Sequence, residues 1–265
     1  MHRADAQKSA AALLGASPDG PQAFTLDAVV FDMDGLLLDT ESLARRAILL
    51  AGQDFGLGLT QDFCALLIGV PADGNRRLLL EHYGQDAPAD ALFAAAGRHL
   101  EALIEGGALR LKPGVMELLD QLDSAGIAHV VATSSARGKA LGHLQRAGIV
   151  QRFRAIVTRD DVARGKPHPD LFLEAARALG TPPGRCLALE DSYNGVRAAH
   201  AAGMPVIMVP DLLAPTDEMR GKCLAILDDL HAVGAMLRKP RAPRQAANAQ
   251  RVGAPPHELM EQTIG

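Results

Sequence analysis

The chain has 265 residues, 48% of them hydrophobic, and a formal net charge of -4 from 31 acidic and 27 basic side chains. That length supports one large core or two modest ones, and the acidic balance excludes the basic excess that nucleic-acid binding requires. Three cysteines, Cys64, Cys186 and Cys223, are odd in number and unevenly spaced, so neither a disulfide framework nor a zinc site is expected and a reducing, cytoplasmic compartment is.

Residues 1–23 read as a tail: their Ala/Leu patch is short and leads into the turn-rich Ser17-Pro18-Asp19-Gly20-Pro21. No run reaches the length of a membrane span. The first strand is expected at Ala28-Val29-Val30-Phe31, and it leads directly into Asp32-Met33-Asp34-Gly35. Residues two apart in an extended segment point to the same side, so Asp32 and Asp34 converge if the extension persists. Two carboxylates ~4 Å apart repel by roughly 4 kcal/mol at an effective dielectric of about 20. Either the pair is a solvated turn, or a cation or shared proton compensates it.

Between 42 and 111 no buried strand is expected, only helical patterns at 43–51, 63–68, 75–83 and 89–104. This reads as a helical cap inserted into a sheet domain made of 24–41 and 112–237, placed to act as a lid. The sheet resumes through Lys112-Pro113-Gly114, and further apolar runs follow at His129-Val130-Val131-Ala132, Ala155-Ile156-Val157, Cys186-Leu187-Ala188-Leu189 and Val206-Ile207-Met208-Val209. Helical patterns at 115–125, 138–147, 169–179 and 195–202 separate them, each stopping before a glycine. Strands apolar on both faces, alternating with helices, predict an α/β fold: a doubly wound, Rossmann-like parallel sheet with ligands at the strands' carboxyl ends. Residues 238–265, rich in Pro, Arg, Ala, Gln and Asn without periodicity, read as a disordered tail.

Three later strand ends are polar, as the first is. Thr133-Ser134-Ser135 offers hydroxyls and turn amides to an anion, although the same run is a common helix cap. Lys166 enters from a loop braced by Pro167 and Pro169. Glu190-Asp191-Ser192 adds two carboxylates which, with Asp32 and Asp34, make the oxygen-rich, thiol-free surroundings that magnesium prefers. Together these ends suit phosphoryl transfer. Each unit of repulsion between a carboxylate nucleophile and a phosphate at ~3.5 Å costs about 5 kcal/mol at a dielectric of 20. A magnesium ion and a lysine supply three positive charges against it.

In order and spacing, these motifs resemble the haloacid dehalogenase superfamily, in its subgroup with a helical cap after the first motif. Phe31 to Glu41, Thr133-Ser134, Lys166-Pro167 and Glu190-Asp191 followed by Gly195 carry the resemblance, which spans residues 24–237. It implies a hydrolase, similar to phosphatases of sugar phosphates or pseudouridine 5′-phosphate, with Mg2+ as cofactor and a small phosphorylated metabolite as partner. It also implies roles: Asp32 as nucleophile and metal ligand, Asp34 as proton carrier with its backbone carbonyl on the metal, and Thr133 and the Ser134 amide on phosphate oxygens. Lys166 would bridge Asp32 and the phosphate, Asp191 would bind the metal, and Glu190 would be a ligand or one shell out.

Phosphosugar mutases similar to β-phosphoglucomutase share this core, but Ala72 and Ala44 stand where the resemblance places the mutases' arginine and histidine. Arg76 and Arg77 lie close by in the sequence and keep the mutase open as an alternative. A phosphometabolite-binding protein without turnover is the second alternative.

Overall fold

A computed structural model describes residues 25–67, 70 and 72–238; both expected tails, 1–23 and the stretch beyond 238, lie outside them. The first strand, β1 (Ala28–Phe31), is buried along its whole length. Its side chains alternate: Val29 and Phe31 enter one apolar cluster, Ala28 and Val30 another on the opposite face. Both faces must therefore be covered, which is why the strand reads as a continuous apolar run.

Five more strands join it among the described residues: β2 (Ala128–Ala132), β3 (Ile156–Val157), β4 (Cys186–Glu190), β5 (Val206–Met208) and β6 (Ala225–Ile226). Their order is β3-β2-β1-β4-β5-β6 and every pairing is parallel. The chain winds outward from β1 to β3 and then returns to place β4 on the other side of β1. The strand order therefore reverses between β1 and β4, where open α/β sheets hold their ligands. The register pairs Phe31 with Leu189, which brings the next residues, Asp32 and Glu190, side by side at that point.

Four helices form the insertion: α1 (Thr40–Asp54), α2 (Gln61–Leu66), α3 (Ala72–Tyr83) and α4 (Ala89–Glu105). They have their own apolar cluster, including Ala51, Phe63, Leu79, Leu92 and Ala95, with no member in common with the two sheet clusters. The insertion's two connections run together. Leu38 bridges Leu111, the Asp39 amide donates to the Arg110 carbonyl at 3.0 Å, and the Lys112 amide donates to the Leu37 carbonyl at 2.9 Å. The loop between is pinned from below, since Leu36, Leu37 and Leu38 are all buried in a sheet cluster.

The remaining helices sort by face. Apolar residues of α5 (Val115–Ser124), α6 (Arg137–Arg146) and, after β6, α10 (Leu230–Arg238) cover one side. Those of α7 (Asp170–Leu179), α8 (Tyr193–Ala201) and α9 (Asp217–Lys222) cover the other. The glycines expected to stop four of these helices, Gly126, Gly148, Gly180 and Gly203, all adopt positive φ, from 66° to 75°. The short elements α9, β6 and α10 were not expected from the sequence. Arg238, expected to begin the tail, is the last residue of α10.

Candidate active site

Asp32 follows β1 directly, its amide donating to the Leu189 carbonyl of β4 at 3.0 Å, and the residue is buried. The Lys166 ammonium donates to Asp32 Oδ1, and also to Glu190 Oε1 at 2.6 Å. All three side chains are at least nine-tenths buried, and the ammonium also lies 5.2 Å from the centre of the Phe172 ring. Glu190 is held from the far side: its Oε2 accepts from the Ser192 amide at 3.3 Å and the Ser192 hydroxyl at 3.1 Å. The same hydroxyl accepts from the Gly195 amide and so caps α8.

Asp32, Glu190 and Asp191 form a group of carboxylates whose nearest oxygens all lie within 4.8 Å of one another. Three negative side chains therefore face one buried lysine, and the electrostatics record the imbalance. Burial pushes the Asp32 carboxyl up to about 8; Lys166 pulls it down and the Glu190 carboxylate adds to the rise. Asp191 is raised well above the carboxylate range by burial and by Asp32 and Glu190. Burial lowers Lys166, but Asp32 and Glu190 more than reverse this and hold it above the ordinary lysine range.

A divalent cation fits this donor set. The group offers hard carboxylate oxygens with neither thiol nor imidazole, carries excess negative charge, and includes buried carboxyls that otherwise favour a proton. Room for Asp191 comes from Gly35, where φ is +87° and an added Cβ would sit 2.2 Å from Asp191 Oδ2.

Asp34 departs from the geometry expected of it. Its side chain does not join the three-carboxylate group, because β1 ends at Phe31 and the chain turns back, Asp34 bridging Leu38 instead of extending the strand. Hydroxyls hold it: Thr40 Oγ1 donates to Oδ1 at 2.9 Å and Ser135 Oγ to Oδ2 at 2.8 Å, with Thr133 Oγ1 3.5 Å from Oδ2. Thr133 is buried and accepts from the Ser135 amide at 3.0 Å, whereas Ser134 is exposed at the same turn. The sequence offers Ser135 only as part of the Thr-Ser-Ser run and Thr40 only as part of the motif from Phe31 to Glu41, with no side-chain role for either. Asp211, at the carboxyl end of β5, was also given no role. Like the other polar strand ends, it follows directly on an apolar run, Val206 to Pro210.

Residues 26–203 match the haloacid dehalogenase-like hydrolase family. The chain belongs to this family. Protein CbbY of Cupriavidus necator is 31% identical over 215 residues, 76% of this chain and 85% of that protein. The phosphorylated carbohydrates phosphatase of Thermotoga maritima is 33% identical over 181 residues, 68% of this chain and 82% of that protein. Among solved structures, a variant of CbbY from Rhodobacter sphaeroides in complex with xylulose 1,5-bisphosphate is 29% identical, covers 80% of this chain and 99% of its own, and superposes with a TM-score of 0.64. The chain is a hydrolase of the helical-cap subgroup, and no helix among its described residues is long and apolar enough to cross a membrane.

Proposed function

We propose that this hydrolase is a magnesium-dependent phosphatase of small phosphomonoesters, sugar or nucleoside phosphates, working through an aspartyl-phosphate on Asp32. The observation that carries this reading is the buried Lys166 bound to both Asp32 and Glu190 within a group of three carboxylates. Such a group has one fixed positive charge and donors for a divalent ion. Asp32, Glu190, Asp191 and the Asp34 backbone carbonyl would hold magnesium. When bound, it supplies positive charge that offsets repulsion between the Asp32 carboxylate and the substrate phosphate.

The chain's own residues do the rest. An Asp32 oxygen attacks phosphorus, and the bond from phosphorus to the ester oxygen breaks. Asp34 gives its proton to the departing alcohol. Asp34, now ionised, takes a proton from a water whose oxygen attacks the aspartyl-phosphate, releasing inorganic phosphate and regenerating the Asp32 carboxylate. Lys166, Thr133 and the Ser134 amide hold the phosphate oxygens, while Thr40 and Ser135 fix the Asp34 carboxyl. The insertion of residues 42–111 is the cap that closes over the substrate. The relatives' names, which specify phosphorylated carbohydrates and a sugar bisphosphate, support the substrate class.

The test is a panel of sugar and nucleoside phosphates assayed for phosphate release in Mg2+ and in EDTA, with Asp32→Asn alongside. Release in Mg2+, its loss in EDTA, and its loss in the variant with an unchanged circular dichroism spectrum are expected. Full activity of the variant would refute the nucleophile assignment. Isomerised sugar phosphate appearing before free phosphate would make the protein a mutase, and no turnover in Mg2+ would make it a binding protein.

A further inference from the structure

We propose that Asp211 is a positioning residue of the metal site, accepting a hydrogen bond from a water on the bound cation; this rests on the magnesium reading above. Asp211 lies at the carboxyl end of β5, and its side chain is only 8% exposed. One oxygen is engaged: Lys112 Nζ donates to Oδ1 at 2.7 Å. The other, Oδ2, is buried with no hydrogen-bond partner. A buried carboxylate oxygen without a donor is an unfavourable arrangement, and native structures resolve it with water or an ion.

The location of that oxygen identifies the donor. A Cβ built on Gly35 would lie 3.4 Å from Asp211 Oδ2 and 2.2 Å from Asp191 Oδ2. The two carboxylates therefore share the small space beside Gly35, and one of them belongs to the three-carboxylate group. Asp211 itself stands outside that group, too far to be a ligand with the others. Magnesium retains several waters, each a strong donor because the ion draws electron density from it. A carboxylate one water away from the ion satisfies its own lone pair and orients that water.

Lys112 makes the placement specific. It lies where the chain returns from the helical insertion, and its amide is fixed to the Leu37 carbonyl at 2.9 Å. Its ammonium takes up Oδ1 and leaves Oδ2 to face the metal group. The pair thus ties the segment returning from the insertion to the metal's outer shell.

Isothermal titration of Mg2+ into the full-length protein tests this, using wild type, Asp211→Asn and Lys112→Met without substrate. D211N is expected to weaken Mg2+ binding about tenfold or more, and K112M clearly less, since Oδ2 survives in it. In turnover assays D211N should raise the half-saturating Mg2+ concentration while the substrate KM at saturating Mg2+ stays near wild type. If circular dichroism shows D211N unfolded, Asp211→Ser carries the same comparison. Wild-type Mg2+ affinity in the variant overturns the proposal, as does an equal loss in K112M, which would assign the effect to the ion pair alone. Absence of Mg2+ binding in the wild type would instead remove the magnesium reading itself.

Discussion

At the scale of single residues, the site depends on space as much as on charge. A Cβ at Gly195 would lie 1.9 Å from the carboxyl carbon of Glu190 and 2.0 Å from both its oxygens, and Glu190 is fully buried. Gly195→Ala must therefore displace Glu190 from Lys166 and from Ser192. We expect a loss of about 1–3 kcal/mol in urea unfolding, as for other overpacked interiors, together with at least a hundredfold loss of phosphate release. Unfolding and activity unchanged from wild type would contradict the contact. Gly195 was legible in the sequence as part of a motif, but its reason was not, because the clash is with Glu190, which the turn from β4 into α8 folds against it. The same holds for Asp34. Its spacing from Asp32 is plain in the sequence, whereas the turn that directs it to Thr40 and Ser135 depends on the buried Leu36, Leu37 and Leu38 behind it.

At the scale of elements, the first helix of the insertion reaches into the chemistry. Thr40 is the first residue of α1, and its hydroxyl holds Asp34 Oδ1 at 2.9 Å. The helix that begins the cap is thereby attached to the group proposed to move protons. Thr40→Val keeps the shape and removes the donor. The hydroxyl holds the carboxyl in place, and misplacement of a reacting group is costly, so kcat should fall roughly ten- to hundredfold with little change in KM. A kcat unchanged from wild type would show that the hydroxyl does not position the acid. The element pattern itself was largely readable: β1, β2, β4 and β5 are runs apolar on both faces, and glycine stops ended the helices between them. The short α9 escaped because six residues are too few to display a period, and it holds its place by packing, as Met219 does in its sheet cluster.

At the scale of the whole molecule, the carboxylate group links folding to pH and to the cation. The Asp32 carboxyl stands at about 8 in the folded protein against an ordinary value of 3.8, chiefly through burial. Between those values the folded state keeps a proton that the unfolded chain has released. The resulting stability is complete below about 4 and is lost as pH rises toward 8. Asp191 and Glu41, both raised with burial as the leading cause, act in the same sense. His143, lowered by its own burial, acts in the opposite sense, but only below the ordinary histidine value of 6.5. Asp161, Asp170, Glu174 and Glu218 are lowered, so their contribution is already complete in that window. Lys166, held above its ordinary range, stays charged throughout. From pH 6.5 to 8 the metal-free protein should therefore lose stability, and a cation that replaces the proton should restore it. Magnesium at 100 times its dissociation constant adds about 2.7 kcal/mol, or roughly 5–10 °C for a domain of this size. Thermal melts in EDTA should show Tm falling between pH 6.5 and 8, with the gain from Mg2+ larger at pH 8. A gain from Mg2+ that is the same at both values would mean that proton and cation do not compete for these carboxylates.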